Sequence, residues 1–417
     1  MKKVERIISL GTCGAIKGGI GVIKHGLLII FLVAALLTFS SMTNANAMAA
    51  EPDSTLKIEA RSAILLEPIT GAVLYEQEAD VPLSPASVTK VMTLLLIMEE
   101  IEKGALRLDE TIVISPEAAA MGGSQIWLEP GEEMKVADLI KAIAIVSAND
   151  ASYALAERLS GSHDAFVARM NERARELGMK TTKFVNCTGL SEDDPSSPGN
   201  ITSARDVAFM SRELIRHSEI LKWTGTWIDY LRNGASFLRN TNKLVRFYQG
   251  CDGLKTGFTN EAGFCLAATA KRNNVRLIVV VMKAATNDIR AKEVSRLLNF
   301  GFGRLEAIKV VSGGEELAKL PVVRGTEDTI SAAASSDYYL PNRRGVQPEI
   351  SKTVNLGSKL KAPIQKGQKL GTMTVHLNGE PVQEIELLAT TDVGRTNGFQ
   401  FFAQVSRQSL KTLFAKD

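Results

Sequence analysis

The chain has 417 residues, of which 45% are hydrophobic and 23% charged, a globular composition with enough length for two or three domains. Residues 1–47 hold five basic residues and one acidic residue, a net charge of +4, so the remainder of this +3 chain carries −1. The basic character belongs to the leader, and no basic stripe interleaved with aromatics follows it, so nucleic-acid binding receives no support.

A secretory signal peptide is predicted at the N-terminus. Residues 27–39 form an apolar stretch of 13 residues behind a basic segment, short for a membrane span of about 20 residues. Two Ala-x-Ala patterns follow, at residues 45–47 and 47–49, as at cleavage sites. We interpret residues 1–47 as a signal peptide, with an uncleaved anchor as the alternative. Either way the rest is exported, to the outer face of the cytoplasmic membrane or the cell wall.

The next segment brings a nucleophile and a base together. Ser84 suits an N-cap, and Pro85 suits the first position of a helix. We therefore predict that Ser87 lies in the first turn of an apolar α-helix that ends near residues 103–104. Residues three apart share a helix face, so Lys90 lies beside Ser87. Lysine can take the serine proton if burial or nearby positive charge lowers its pKa.

The Ser-x-x-Lys pattern is weak evidence alone. It also occurs at Ser54 and at Ser358, and short motifs often match by chance. Only the Ser87 copy opens a long apolar helix. The alternative is that Ser87 is an ordinary residue at a helix N-terminus.

The remaining pattern predicts an α+β domain followed by a small all-β domain. Strands flank the helices, which indicates an antiparallel sheet with helices packed against it. From residue 305 short apolar and polar residues alternate between turns, one of them at Asn378-Gly379. Predicted strands cover residues 63–66, 72–75, 253–257, 264–270, 275–282, 372–377 and 385–388, and predicted helices cover residues 136–146, 151–159, 164–177, 202–222 and 289–300. The turn between the strands at 264–270 and 275–282 is assigned to Asn273-Asn274.

The C-terminal tail is amphipathic. From Gly398 onward its apolar residues fall mostly on one helical face, mixed with Arg407, Lys411 and Lys416. Such helices can lie in a membrane interface. We predict a membrane-docking tail at residues 398–417, with a final helix packed on its own domain as the alternative.

Cysteine and histidine usage excludes other chemistries. Cys187, Cys251 and Cys265 follow the leader, an odd count with wide spacing that fits neither a disulfide framework nor a zinc site. A Cys251–Cys265 bridge is possible, but three buried thiols are favoured. The three histidines after the leader lie in no recognisable catalytic context, so none is a good candidate for the base of a Ser-His triad. No metal or cofactor is expected.

Two further motifs support a catalytic role for the Ser-x-x-Lys copy at Ser87. Ser147-x-Asn149 begins 60 residues after Ser87, at the end of an apolar helix, and Lys255-Thr256-Gly257 begins 108 residues later, at the head of a strand. Each occurs once in the chain. Together the three motifs form the signature of penicillin-binding proteins and class A β-lactamases.

The chain resembles the serine-type D-alanyl-D-alanine carboxypeptidases, which are low-molecular-mass penicillin-binding proteins. The resemblance covers nearly everything after the leader. It implies a peptidase domain of the β-lactamase/transpeptidase-like fold at 52–303, a β-rich domain at 305–396 and a tail that docks on membranes. The segments that carry it are residues 85–90, 123–124, 130–131, 147–151, 188–190, 240–244, 252–257, 299–302 and 362–367.

The resemblance implies a role for each catalytic residue. Ser87 attacks the carbonyl of a D-Ala-D-Ala bond and becomes an acyl-ester, and Lys90 accepts its proton. Ser147 relays a proton towards the leaving nitrogen. Asn149 holds Lys90 and the substrate amide. Lys255 near Lys90 is also expected to lower the pKa of Lys90.

Substrate contacts are implied along the strand. Lys255, helped by the Thr256 hydroxyl, binds the terminal carboxylate, and Gly257 lets substrate backbone lie against the strand. The N–H groups of Ser87 and Phe258 form an oxyanion hole.

Arg290 stands where similar family members carry an arginine near the carboxylate site, with a solvated helix residue as the alternative. Phe258 departs from members that have histidine there, which leaves pH behaviour open.

The expected partners are a peptidoglycan stem peptide ending in D-Ala-D-Ala, β-lactam antibiotics and a membrane surface. One alternative is a β-lactamase of the same fold, which the extra β domain argues against. Glu129, Glu132 and Glu133 also do not form the deacylating glutamate pattern of class A enzymes. The other alternative is a catalytically silent wall-binding protein, and the intact motifs argue against it.

Overall fold

The computed structural model describes residues 56–190, 199–357, 360–398 and 402. The predicted signal peptide and all of the predicted tail except residues 398 and 402 lie outside these ranges, so both stay predictions. Among the described residues, no helix combines the length and apolar character that a membrane crossing requires.

The first domain is built on an antiparallel sheet whose strands run in the order β2-β1-β9-β8-β7. β1 is buried along its whole length and lies inside the sheet, whereas β7 lies at one edge. Two short antiparallel pairs, β3–β4 and the β5–β6 hairpin, complete the strands of this domain. The strands are β1 (Ser62–Leu66), β2 (Val73–Gln77), β3 (Thr111–Val113), β4 (Glu133–Lys135), β5 (Ile228–Leu231), β6 (Ser236–Arg239), β7 (Cys251–Thr259), β8 (Gly263–Arg272) and β9 (Val275–Ala284).

Helices pack against this sheet and against one another. The central helix is α1, in which every residue from Lys90 to Met98 is buried. The helices are α1 (Lys90–Glu102), α2 (Pro116–Ala119), α3 (Val136–Val146), α4 (Asn149–Ser160), α5 (His163–Glu176), α6 (Ala204–Leu214), α7 (Ile220–Thr224), α8 (Leu244–Phe247) and α9 (Asn287–Arg304). The α+β architecture agrees with the sequence prediction.

Several local predictions are confirmed. α3 has the predicted bounds, α1 ends beside Gly104, and the turn between β8 and β9 is Asn273-Asn274, both with positive φ. The prediction of a single helix over residues 202–222 is wrong. Ser203 caps α6 through its hydroxyl, but α6 ends at Leu214 and a separate short helix, α7, follows.

The predicted start of the Ser87 helix is also wrong. Ser87 lies in a 3-10 turn, Ala86–Thr89, and α1 begins only at Lys90; Pro85 precedes the turn, and no side chain caps it. Ala86 adopts a left-handed φ of +47°. The cause is tertiary, because Gly189 packs so tightly here that a Cβ on it would lie 1.8 Å from the Ala86 carbonyl oxygen.

The second domain is formed by strands. Its larger sheet runs in the order β14-β16-β17-β12-β11-β15, with β11 and β15 parallel, and β10 pairs with β13. The predicted turn at Asn378-Gly379 joins β16 to β17, and both residues have positive φ. The strands are β10 (Leu305–Val311), β11 (Glu316–Val323), β12 (Thr329–Ala334), β13 (Tyr338–Arg343), β14 (Ile350–Leu356), β15 (Leu360–Lys361), β16 (Lys369–Leu377) and β17 (Glu380–Ala389).

Cys187, Cys251 and Cys265 are all free and buried. Burial raises the pKa of Cys187 to about 12 and those of Cys251 and Cys265 to about 11. The structure therefore agrees with three buried thiols and not with a Cys251–Cys265 bridge.

Candidate active site

Lys90 is the centre of the candidate site. Its side chain is fully buried, and its Nζ donates to Asn149 Oδ1 at 2.6 Å and to the Thr188 carbonyl at 2.7 Å. The same Nζ lies 3.1 Å from Ser87 Oγ, and Ser87 is half-buried. The predicted Ser87–Lys90 pair is thus within hydrogen-bond distance, with Ser87 partly accessible and Lys90 fully buried.

Burial lowers the pKa of Lys90 to about 7, although charge interactions with Cys187 and Asp150 act in the opposite direction. Burial is the first cause at Lys90. Repulsion between the charges of Lys90 and Lys255 accompanies it and is evident in the pKa of Lys255. There, burial first and the charges of Lys90 and Arg290 next hold the pKa well below its usual range.

The Ser147-x-Asn149 motif lies between α3 and α4. Asn149 uses both ends of its carboxamide, because Oδ1 accepts from Lys90 and Nδ2 donates to the Gly122 carbonyl at 2.7 Å. Ser147 ends α3 in the left-handed conformation and is buried. Its hydroxyl has no hydrogen-bond partner within the described part of the chain. Such an orphaned group is costly unless a ligand satisfies it.

The loop of residues 121–128 is attached to this motif. The Asn149 backbone N–H donates to the Ser124 carbonyl at 2.7 Å, and one Asp150 carboxylate oxygen accepts the N–H groups of Ile126 at 3.0 Å and Leu128 at 3.1 Å. The sequence left open whether this loop borders a cleft or is a plain connection. Its contacts place it against the candidate site.

The Lys-Thr-Gly motif lies in the edge strand β7. Lys255 is buried, and its Nζ donates to the Thr256 carbonyl at 2.8 Å. The Thr256 hydroxyl lies 2.7 Å from the Thr241 hydroxyl, and Asn242 Nδ2 donates to the Gly253 carbonyl at 3.0 Å. The segment after β6 therefore holds β7 in place.

Gly257 brings β7 against the Ser87 turn. A Cβ on this residue would lie 2.6 Å from the Pro85 carbonyl oxygen and 3.1 Å from the backbone nitrogen of Ser87. Any side chain would push the strand away from Ser87. The neighbouring Phe258 is 52% exposed, and its ring packs on Phe264 at 4.2 Å between centroids.

Arg290 belongs to the same neighbourhood. It is buried in α9, and its guanidinium donates to Asn287 Oδ1 at 2.6 Å, to the Cys265 carbonyl at 3.2 Å and to the Gly257 carbonyl at 3.5 Å. The alternative of a solvated helix residue is therefore wrong. Burial lowers the pKa of Arg290 to about 10.

Sequence reasoning gave no role to three groups that the structure assigns to the site. The Thr188 carbonyl holds Lys90, the Gly122 carbonyl holds Asn149, and the Thr241 hydroxyl contacts Thr256. Thr188 and Thr241 lie in segments that carried the resemblance, which was the available signal. Backbone carbonyls such as that of Gly122 leave no signature in residue type.

Comparison with known proteins agrees with this geometry. The family model described as D-alanyl-D-alanine carboxypeptidase matches residues 46–286, and the model described as the C-terminal domain of penicillin-binding protein 5 matches residues 305–395. The chain belongs to the D-alanyl-D-alanine carboxypeptidase family.

Individual family members are similar over most of their length. The D-alanyl-D-alanine carboxypeptidase DacF of Bacillus subtilis is 43% identical over 84% of this chain and 89% of its own. The structure of penicillin-binding protein 5 from Haemophilus influenzae covers 82% of this chain and 99% of its own, with 32% identity and a TM-score of 0.59. Penicillin-binding protein D2 from Listeria monocytogenes, solved in an ampicillin-bound form, covers 59% of this chain and 99% of its own, with 35% identity and a TM-score of 0.54.

Proposed function

We propose that the chain is a serine D-alanyl-D-alanine carboxypeptidase that removes the terminal D-alanine from peptidoglycan pentapeptides through an acyl-serine intermediate. The observation that carries the proposal is the environment of Lys90. A neutral amine has two N–H groups and one lone pair. The N–H groups go to Asn149 Oδ1 and the Thr188 carbonyl, which leaves the lone pair for the Ser87 hydroxyl 3.1 Å away.

Acylation follows from this arrangement. Ser87 Oγ attacks the carbonyl carbon of the D-Ala-D-Ala bond as its proton passes to Lys90 Nζ. The N–H groups of Ser87 and Phe258 stabilise the oxyanion, which is consistent with the approach of Gly257 to the Ser87 turn. Ser147, whose hydroxyl is unpartnered in the described chain, relays a proton to the leaving nitrogen. The C–N bond then breaks and free D-alanine leaves.

Selectivity for a C-terminal residue comes from positive charge. Lys255 and Arg290 are buried beside the catalytic lysine, and the carboxylate of the terminal D-alanine supplies the missing anion. Thr256 adds its hydroxyl, and Gly257 leaves room for substrate backbone. A substrate without a free carboxylate would leave this charge unpaired.

Deacylation by water completes the cycle, with Lys90 again as the base. Penicillins acylate the same Ser87 and leave slowly. Among the three loop glutamates, Glu132 is committed to Arg232 through oxygen–nitrogen distances of 2.7 and 2.9 Å. This commitment supports a penicillin-binding protein over a β-lactamase, and the intact Ser87–Lys90 pair argues against a silent wall-binding protein.

The cellular setting is part of the proposal. A signal peptide at residues 1–47 would export the protein, and an amphipathic tail at 398–417 would hold it on the outer face of the cytoplasmic membrane. The peptidase domain at 52–303 and the β-rich domain at 305–396 would then meet the wall from the membrane side.

The testing experiment labels the purified mature protein with a fluorescent penicillin, wild type beside Ser87→Ala. Release of D-alanine from diacetyl-Lys-D-Ala-D-Ala is followed in the same samples. We expect labelling and release in the wild type and neither in the variant. Labelling without release would refute carboxypeptidase activity on this peptide, and a folded wild type that does not label would refute the acyl-serine mechanism.

A further inference from the structure

The β5–β6 hairpin exposes an apolar face. Its register pairs Tyr230 with Phe237 directly across the strands, and Ile228 lies two residues from Tyr230 on the same face. These side chains are 51%, 55% and 44% exposed respectively. The opposite face already supplies the domain core through Leu231 and Leu238. Polar residues are expected on the outward face of such a hairpin, so exposed aromatics here indicate a binding surface.

A third exposed aromatic residue lies in the loop that contacts the hairpin. Trp127 is 75% exposed and has a left-handed φ of +59°. Arg232, at the turn of the hairpin, joins the hairpin to the loop that carries Trp127. Its guanidinium donates to the carbonyls of Ile126 at 2.9 Å and Trp127 at 3.2 Å. We call Trp127, Tyr230 and Phe237 the aromatic rim.

The two segments that carry the aromatic rim, the β5–β6 hairpin with the chain that follows it and the loop of residues 121–128, both contact the candidate site. The chain leaving β6 reaches Thr241 within two residues, and the Thr241 hydroxyl contacts Thr256 in β7. The loop that carries Trp127 also supplies the Gly122 carbonyl to Asn149. The segments that carry the rim are therefore held against the candidate site, one through Thr241 and the other through Gly122.

We propose that the aromatic rim stacks on the sugar rings of a peptidoglycan glycan strand while a stem peptide of the same strand occupies the cleft. This inference rests on the proposed function. The stem peptide is covalently attached to a polysaccharide, so the remainder of the polymer must lie against a surface bordering the cleft. Aromatic rings offer rigid, flat contact area at low entropic cost, which suits the apolar CH faces of sugar rings.

The experiment compares D-alanine release from two substrates, soluble diacetyl-Lys-D-Ala-D-Ala and glycan strands bearing pentapeptides. The variants are Tyr230→Ser/Phe237→Ser and Trp127→Asn, because asparagine tolerates a left-handed backbone. Val346→Ser, an exposed valine of the β domain (46% exposed), is the control. We expect KM on the polymer to rise about tenfold in the rim variants, the ratio that a change of 1.4 kcal/mol produces. Turnover of the soluble peptide and the behaviour of the control should not change.

Unchanged KM on the polymer in both rim variants would overturn the proposal. So would variants that keep this KM but lose binding to lipid vesicles or lose self-association, since the occupant would then be a membrane or a second copy. Glycan strands stripped of stem peptides provide an arm that is independent of catalysis. We expect them to change the tryptophan fluorescence of the wild type and not that of Trp127→Asn. If the wild type releases no D-alanine, the proposed function fails. The fluorescence measurement with stripped glycan strands then tests glycan binding by the rim on its own.

Discussion

At the residue scale, the proposed chemistry depends on removing one lysine from water. A lysine side chain in water is charged near neutral pH. In the folded chain the three close contacts of the Lys90 amine are all to oxygen atoms. Burial lowers its pKa to about 7, so a substantial fraction of the folded protein holds a neutral base without help from a histidine. In the proposed mechanism, desolvation of Lys90 costs stability and also activates Ser87.

A pH dependence follows with a defined sign. The neutral form of Lys90 is the base, and its fraction grows as pH rises through about 7. We expect the rate of acylation by a fluorescent penicillin to rise through this range. Loss of the proton from Lys255, whose pKa is held well below its usual range, reduces binding of a substrate carboxylate. An acylation rate that falls as pH rises through 7 would contradict the role of Lys90, and Lys90→Ala should acylate almost not at all.

Gly257 provides a second test at this scale. Its substitution by alanine places a methyl group 2.6 Å from the Pro85 carbonyl oxygen, so β7 must move away from the Ser87 turn. We expect Gly257→Ala to lower the acylation rate by about 100-fold, the cost of misplacing reacting groups by about 1 Å. Gly303→Ala is the matched control, since nothing lies within 4 Å of a Cβ there. Equal acylation rates in the two variants would show that the close approach is not needed.

At the element scale, the loop of residues 121–128 and the β5–β6 hairpin behave as one unit. Arg232 joins them through two loop carbonyls and an ion pair with Glu132. Asp150 fixes the other side of the loop from α4. The backbone of this unit contacts Asn149 through the Gly122 and Ser124 carbonyls, so we expect the position of Asn149 to depend on how that backbone is held.

Removing Arg232 tests this coupling. Arg232→Ala removes the guanidinium donor of the Ile126 carbonyl and leaves the Glu132 carboxylate with only the Glu129 N–H. We expect the free energy of unfolding to fall by about 1–3 kcal/mol and kcat/KM on the soluble peptide to fall with it. Arg107→Ala is the control, because its ion pair with Asp109 is largely exposed (73% and 68%) and such pairs contribute little. Chemical denaturation and D-alanine release measure both effects; an Arg232 variant indistinguishable from the control would disprove the coupling.

Elements with local signals were predictable from sequence. The bounds of α3 followed from an apolar run that ends in Ser147-Ala148-Asn149, and the Asn273-Asn274 turn from residues that tolerate positive φ. The start of α1 was not predictable, because the left-handed Ala86 reflects packing against Gly189. The sequence motifs predicted Ser87, Lys90, Asn149 and Lys255 as site residues. The acceptors of Lys90 and the cause of its lowered pKa depend on burial, which residue order alone does not specify.

At the scale of the whole molecule, the two domains meet around a turn of the first. Arg212 in α6 donates to the carbonyls of Pro68 at 2.5 Å and Ile69 at 2.9 Å. The Ile69 side chain in turn packs against the hydrophobic core of the β domain. This junction uses neither Ser87 nor β7, so attachment of the C-terminal end to a membrane would not need to alter the site.

Deletion of the tail tests that separation. We expect a protein lacking residues 398–417 to be released from membranes while its activity on a soluble peptide survives. Fractionation followed by D-alanine release measures both properties. A truncated protein that still sediments with membranes would refute the membrane-docking role of the tail.

The buried positive charges also bear on how the molecule melts. Lys90, Lys255 and Arg290 form no ion pair within the described chain, although charge repulsion acts among them. Their concentration in one place opposes folding, and an anion bound only by the folded chain relieves it. The penicilloyl group retains a carboxylate after acylation, so we expect the acylated protein to melt a few degrees higher than the free protein, about 2–4 °C for each kcal/mol gained. An antibiotic that silences this enzyme would then also act as a thermal stabiliser of its own target.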